Sequence, residues 1–305
     1  MKKPLKNISA SIHQRLLNKA RETKRPFQEL LQYYAMERFL YRLSKSEHAR
    51  KFILKGAFML RAWDFPATRP TKDLDFSGKF TNNPDTAISM VTDIISDETE
   101  PDGIDFNTDS VSADQIIADA DYVGLRIMIR GLMGTARISL QLDIGFGGIA
   151  FPSPKLKKLP SILDLPSPKI LCYTLESTIA EKFLAMVKRD ILNSRMKDFY
   201  DIWMLSSSND FKGNILGTAI EKIFTANRTK IDPKSTVFTR AFRDNQDKAV
   251  QWNAFIRKSR IDNAPASFEK AAAAVAAFLQ PLIIAIEKSA YSKLTWKYPG
   301  PWKNQ

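Results

Sequence analysis

The chain has 305 residues, 44% hydrophobic and 26% charged, with 12 Gly and 16 Pro, which excludes a disordered, collagenous or low-complexity chain and leaves room for one large domain or two smaller ones. A single cysteine, Cys172, excludes a disulfide framework or a cysteine zinc site, and two histidines, His13 and His48, leave little for a histidine-ligated metal or a Ser-His-Asp triad, so any metal would be held by oxygen. The net charge of +13 points to a polyanionic partner, nucleic acid or nucleotide.

The start of the chain, Met1-Lys-Lys-Pro-Leu-Lys6, is basic but lacks the apolar run of a signal peptide. Residues 9–48 read as two helices, one from Ser9 to Arg21 and one after Pro26 that carries Leu30, Leu31, Tyr34, Met36, Phe39 and Leu40 at helical spacing. A short helix follows Gly56 (Ala57 to Trp63), Thr71–Phe76 alternates with a strand period, and Asp85–Ser96 reads as a helix. Next comes a hairpin. Val123, Leu125, Ile127 and Ile129 share one face of its first strand, and Ile138, Leu140, Leu142 and Ile144 one face of its second, with Gly131–Thr135 as connector. Pro152–Pro168, with Lys155, Lys157 and Lys158, reads as a basic linker between a mixed α/β half and a helical half. Helices are expected near 174–190, 195–206, 214–226, 245–257 and 267–288, and residues 291–305 read as a tail. The apolar run Ala271–Ile286 is interrupted by Gln280 and Pro281 and reads as too short to span a bilayer, so a cytoplasmic protein without a membrane segment is expected.

Asp73 and Asp75 lie two apart on a predicted strand and therefore share a face. Two adjacent carboxylates repel unless a divalent cation sits between them; a solvated pair is the competing reading. Lys55-Gly56 lies upstream, at the mouth of the short helix, where a glycine lets the backbone approach a phosphate; a plain tight turn is the alternative. Thr71 shares the carboxylate face, and its hydroxyl could reach a phosphate oxygen. Asp143, on the polar face of the hairpin with Arg137, Ser139 and Gln141, supplies a third carboxylate if its strand pairs beside Asp73 and Asp75. Three such groups can hold magnesium, orient a triphosphate and activate a hydroxyl. In the helical half, Lys182 falls within an apolar stripe of Leu175, Ile179, Phe183, Met186 and Val187, with Arg189 beside it. A lysine there needs an anion, which a triphosphate would supply, or it snorkels to water. Asp198 and Asp201 sit on a helix apolar nearly all round, so they too need partners: a nucleotide, Lys182, or a structural ion pair with Arg195 or Lys197.

Four stretches together resemble the AbiEii/AbiGii-type toxin nucleotidyltransferases of bacterial toxin–antitoxin and abortive-infection systems, which include the MenT toxins. These are Leu54-Lys-Gly-Ala-Phe-Met-Leu-Arg61, Arg69-Pro-Thr-Lys-Asp-Leu-Asp75, Leu140-Gln-Leu-Asp-Ile-Gly-Phe-Gly147, and Glu176 through Asn193-Ser-Arg-Met-Lys-Asp-Phe-Tyr-Asp-Ile202. The resemblance implies an α+β fold: a polymerase-β-like nucleotidyltransferase core with a mixed sheet over residues 1–160 including the N-terminal helices, a helical domain over 161–290 that completes the active site, and a tail over 291–305. It implies Mg²⁺ on Asp73, Asp75 and Asp143. It assigns the nucleoside triphosphate to Lys55, Gly56, Thr71, Lys182, Arg189 and Asp201, with Asp198 completing the late motif. It implies transfer of a nucleotide to RNA, in some relatives to tRNA 3′ ends, which blocks translation, and an antitoxin encoded nearby. Many polymerase-β-like enzymes have Gly-Ser at the first motif; this chain has Gly56-Ala57 and lacks that hydroxyl. The alternatives are transfer to a protein or small-molecule hydroxyl, or a catalytically inactive nucleotide-binding protein.

Overall fold

A computed structural model describes residues 7–63, 69–97, 99–118 and 122–304. The chain forms two compact units, residues 1–148 with 155–172, and residues 149–154 with 173–305.

The first unit opens with α1 (Ile8–Thr23) and α2 (Phe27–Lys45). Asn7 caps α1 by accepting from the Ala10 N–H. There follow β1 (Phe52–Lys55), a single turn α3 (Gly56–Met59) that tightens into 3₁₀ geometry over Leu60–Trp63, β2 (Asp73–Gly78), α4 (Pro84–Ser96), β3 (Asp105–Ala118), β4 (Tyr122–Met133), β5 (Ala136–Gly145), β6 (Lys155–Lys158) and β7 (Lys169–Cys172). The strands form one seven-stranded mixed sheet in the order β3-β4-β5-β2-β1-β7-β6. β2 runs parallel to β5 and β1 parallel to β7; the other pairs are antiparallel. Helices α2 and α4 pack on the sheet. Leu125, Ile127, Ile129, Leu140 and Leu142, all fully buried, form its core face.

The hairpin is longer than its sequence signal. Its turn is Gly134–Thr135 alone, with Gly134 at φ +59°, and Gly131 lies within β4. Val123, expected on the apolar face, is exposed because the core layer stops at Leu125. β1, β3, β6 and β7 were not expected. The proline-rich stretch is not simply a connector: Lys155–Lys158 pairs with β7 as the outer strand of the sheet. Lysines suit a sheet edge, because their charge opposes pairing with another chain. In β7, burial pushes the Cys172 thiol up to about 12, so it is no thiolate nucleophile at neutral pH.

The second unit contains α5 (Leu175–Arg189), α6 (Met196–Ser208), the short strand β8 (Phe211–Lys212), α7 (Gly213–Ala226), α8 (Arg240–Arg243), α9 (Gln246–Ser259), α10 (Phe268–Glu287), β9 (Leu294–Trp296) and β10 (Trp302–Asn304). All five predicted helices are present. α10 packs against α6, α7 and α9. It runs unbroken through Pro281, so it is 20 residues long rather than interrupted, and by length and composition alone it could cross a membrane. Phe278, Leu279, Leu282 and Ile283 on it are fully buried among the other helices, as in a core helix. Residues 291–304, expected as part of a tail, are not loose. β9 and β10 join β8 in a three-stranded sheet, Trp296 and Trp302 pack on Phe278, and their indole N–H groups donate to the Ser206 and Phe278 carbonyls.

Candidate active site

The sheet register builds a row of charges on one face of the first unit. Lys55 on β1 is paired with Asp75 on β2, Asp75 with Asp143 on β5, Asp143 with Arg126 on β4, and Arg126 with Asp114 on β3. Paired residues in adjacent strands share a face, so all five side chains project from the same side. Asp73 stands one step along β2, beside Gln141. Asp73, Asp75 and Asp143 each offer a carboxylate oxygen, and these oxygens all lie within 4.8 Å of one another. Each of the three is partly exposed.

The surroundings hold these acids in place. The Thr71 hydroxyl donates to Asp73 Oδ1 at 2.6 Å, and the Thr71 N–H donates to the Tyr33 hydroxyl at 3.2 Å. The hydroxyl expected on a phosphate is thus engaged in orienting Asp73. Arg126 grips Asp143 with two bonds, Nε to Oδ1 at 2.9 Å and Nη2 to Oδ2 at 2.8 Å, while the Gln141 amide donates to the same carboxylate at 3.0 Å. That contact raises the Arg126 pKa above its ordinary value, chiefly through the hydrogen bond to Asp143.

Gly56 meets Asp75 directly. Its φ is +71°, and a Cβ built on it would run into the Asp75 carboxylate. The helix it opens is one turn long, too short for an appreciable dipole. What the glycine contributes is therefore space for the carboxylate and a left-handed turn out of β1. The Lys55 ammonium extends toward the end of β5, 3.8 Å from where a Cβ of Gly145 would sit.

In the second unit, Lys182 on α5 donates to Asp198 at 3.1 Å and to Asp201 at 2.5 Å, both on α6. Both acids are fully buried and Lys182 is 9% exposed. Arg195 also lies 2.6 Å from Asp198. The apolar stripe tolerates the lysine because the chain supplies its own anions. Arg189 ends the same helix and is exposed.

Sequence reasoning missed Arg126 and Tyr33 and placed Gln141 only on a polar face. Arg126 becomes visible once the turn is narrowed to Gly134–Thr135, because a two-residue turn pairs Met133 with Ala136 and therefore Arg126 with Asp143.

Three oxygen donors this close are the donor set a hard divalent cation takes. The sequence profile of the nucleotidyl transferase AbiEii toxin family, of a type IV toxin–antitoxin system, matches residues 38–274. The chain belongs to the AbiEii toxin family. It is accordingly a nucleotidyltransferase, and membership of a toxin–antitoxin family implies a nucleotide substrate and an antitoxin. No curated protein matches the chain in sequence. Among solved structures, JHP933 from Helicobacter pylori is similar at 16% identity and TM-score 0.50, covering 87% of this chain and 96% of its own. A candidate nucleotidyltransferase from H. pylori is similar at 17% identity and TM-score 0.47, covering 86% of this chain and 96% of its own. The likeness to JHP933 is one of fold. In this AbiEii toxin, the three clustered carboxylates lie on the central strands β2 and β5, whereas Asp198 and Asp201 lie on α6 of the second unit.

Proposed function

We propose that this toxin is a Mg²⁺-dependent, cytoplasmic enzyme that moves a nucleotide from a nucleoside triphosphate to the 3′-hydroxyl of an RNA, with tRNA as the acceptor class, and so blocks translation. The observation that carries this reading is the convergence of Asp73, Asp75 and Asp143, with oxygens within 4.8 Å of one another, on one sheet face. Bound there, the ion supplies Lewis-acid stabilisation of the charge on the phosphate oxygens. The acceptor oxygen forms a new bond to the α-phosphorus as the bond to pyrophosphate breaks. Asp143 receives the acceptor's proton, and Arg126 and Gln141 hold its carboxylate in register. Thr71 orients Asp73. Lys55 and the Gly56 turn bear on the phosphates of the donor beside Asp75. For Lys182 and Arg189 the proposed role is triphosphate recognition, with Asp198 and Asp201 fixing the Lys182 ammonium.

The test is incubation with total RNA and each labelled triphosphate, followed by sequencing of RNA 3′ ends. Asp73→Ala is expected to abolish labelling while the circular-dichroism spectrum is unchanged. Full labelling by that variant would refute the assignment of the carboxylates, and labelling of protein in whole lysate in place of RNA would refute the acceptor.

A further inference from the structure

The polar face that carries the carboxylates continues beyond them. Past the row of Asp73, Gln141, Met128 and Ser112, β2 has ended and β5, β4 and β3 run on together. The next row is Ser139, Arg130 and Asn107; the one after it is Arg137, Leu132 and Asp105. These two rows line a groove of about 770 Å³. β3 bulges here: its register slips between Asn107 and Ser112, and Thr108 from the bulge also lines the groove.

The groove differs from the site beside it in one respect. On β4, Arg126 is neutralised by Asp143, whereas Arg130, four residues on along the same face, and Arg137 opposite Leu132 are exposed, and among the described residues neither guanidinium takes part in an ion pair. At about 3.4 Å per residue, the Arg130 row lies roughly 14 Å and the Arg137 row roughly 20 Å along the strands from Asp143. Two unpaired cations a row apart, with hydroxyl and amide groups of Thr108, Ser139 and Asn107 lining the same groove and the exposed Leu132 at hand, suit a chain of phosphates and riboses carrying unstacked bases. The carboxylate of Asp105 at the far row suits a ribose hydroxyl or a base amine.

We propose that this groove is the acceptor track, in which Arg130 and Arg137 each bind a backbone phosphate of single-stranded RNA whose 3′ end enters the carboxylate site. The assignment rests on RNA being the acceptor and adds where on the sheet it lies.

The experiment compares the wild-type enzyme with Arg130→Gln/Arg137→Gln. A control, Arg21→Gln/Arg50→Gln, removes two exposed arginines of the same unit outside the groove. Binding of a short, end-labelled single-stranded RNA is followed by fluorescence anisotropy over a series of salt concentrations, and transfer kinetics are measured in parallel. The groove variant is expected to bind about tenfold or more weakly, with the salt slope reduced by about 1.4, the counterions of two single-strand phosphates. The acceptor KM should rise while the nucleotide KM and kcat stay at wild-type values. Arg130→Ala/Arg137→Ala serves as a second version if the first folds poorly. Wild-type affinity and slope in the groove variant, or an equal loss in the control, overturns the track while leaving RNA as acceptor intact. Wild-type enzyme that labels protein and no RNA overturns both.

Discussion

Arg126 and Asp143 face each other across β4 and β5, and the guanidinium holds both oxygens of a carboxylate that also belongs to the three-acid cluster. A cation already neutralises this acid, so a divalent ion at the cluster competes with it. Arg126→Gln should therefore bind Mn²⁺ roughly tenfold more tightly, the Coulomb repulsion being discounted because the arginine side chain is 41% exposed. Isothermal titration calorimetry checks this. Weaker binding would instead mean that Arg126 serves mainly to hold Asp143 in position.

Gly56 exists where it does because Asp75 fills the space a side chain would take. Gly56→Ala imposes a left-handed backbone on alanine, at a cost of about 1–3 kcal/mol, and displaces the Asp75 carboxylate. Urea unfolding should show that loss, and Mn²⁺ titration should show weakened binding. An alanine variant as stable and as metal-competent as wild type would contradict the close approach.

Lys182 holds two fully buried carboxylates on α6. Lys182→Met removes this shared partner from both acids and should lower stability by about 3–5 kcal/mol, since deleting one member of a buried ion-pair network is the costly outcome. The triple change Lys182→Met/Asp198→Asn/Asp201→Asn should recover part of the loss. Loss of transfer in the single variant would reflect unfolding as well as nucleotide contact, so kinetics belong on Lys182→Arg, which keeps the charge; a nucleotide role predicts a raised triphosphate KM at near-native stability.

The C-terminal segment is part of the core of its unit. Removing the residues after Ser292 deletes Trp296 and Trp302, strips cover from Phe278 and frees the Ser206 and Phe278 carbonyls. A loss of about 3–5 kcal/mol, comparable with a buried Trp→Ala change, is expected in thermal or urea unfolding. Unchanged stability would return this segment to the status of a tail.

The family was readable as a resemblance carried by four motif stretches, and the three carboxylates from residue type and spacing, because strand alternation puts Asp73 and Asp75 on one side and Asp143 on the polar side of its hairpin. The five helices of the second unit were equally legible, since an apolar stripe repeats locally. The strands β1, β3, β6 and β7 were not: β1 and β7 pair with each other across more than a hundred residues, while β3 and β6 each pair with the next strand but are polar or lysine-rich, so their alternation carries no core signal.

By itself, then, the order of residues determined the helices, β2 and the central hairpin, and which of their faces carry acid, because these follow from periods of two and 3.6 residues. Only the tertiary structure decided who stands next to whom. The parallel pairing of β2 with β5 set Asp75 beside Asp143, and the two-residue turn set Arg126 across from it. The packing of α5 on α6 gave Lys182 its anions, and the stacking of Trp296 on Phe278 turned an apparent tail into core. Register and packing depend on contacts between residues far apart in the chain, which no local pattern contains.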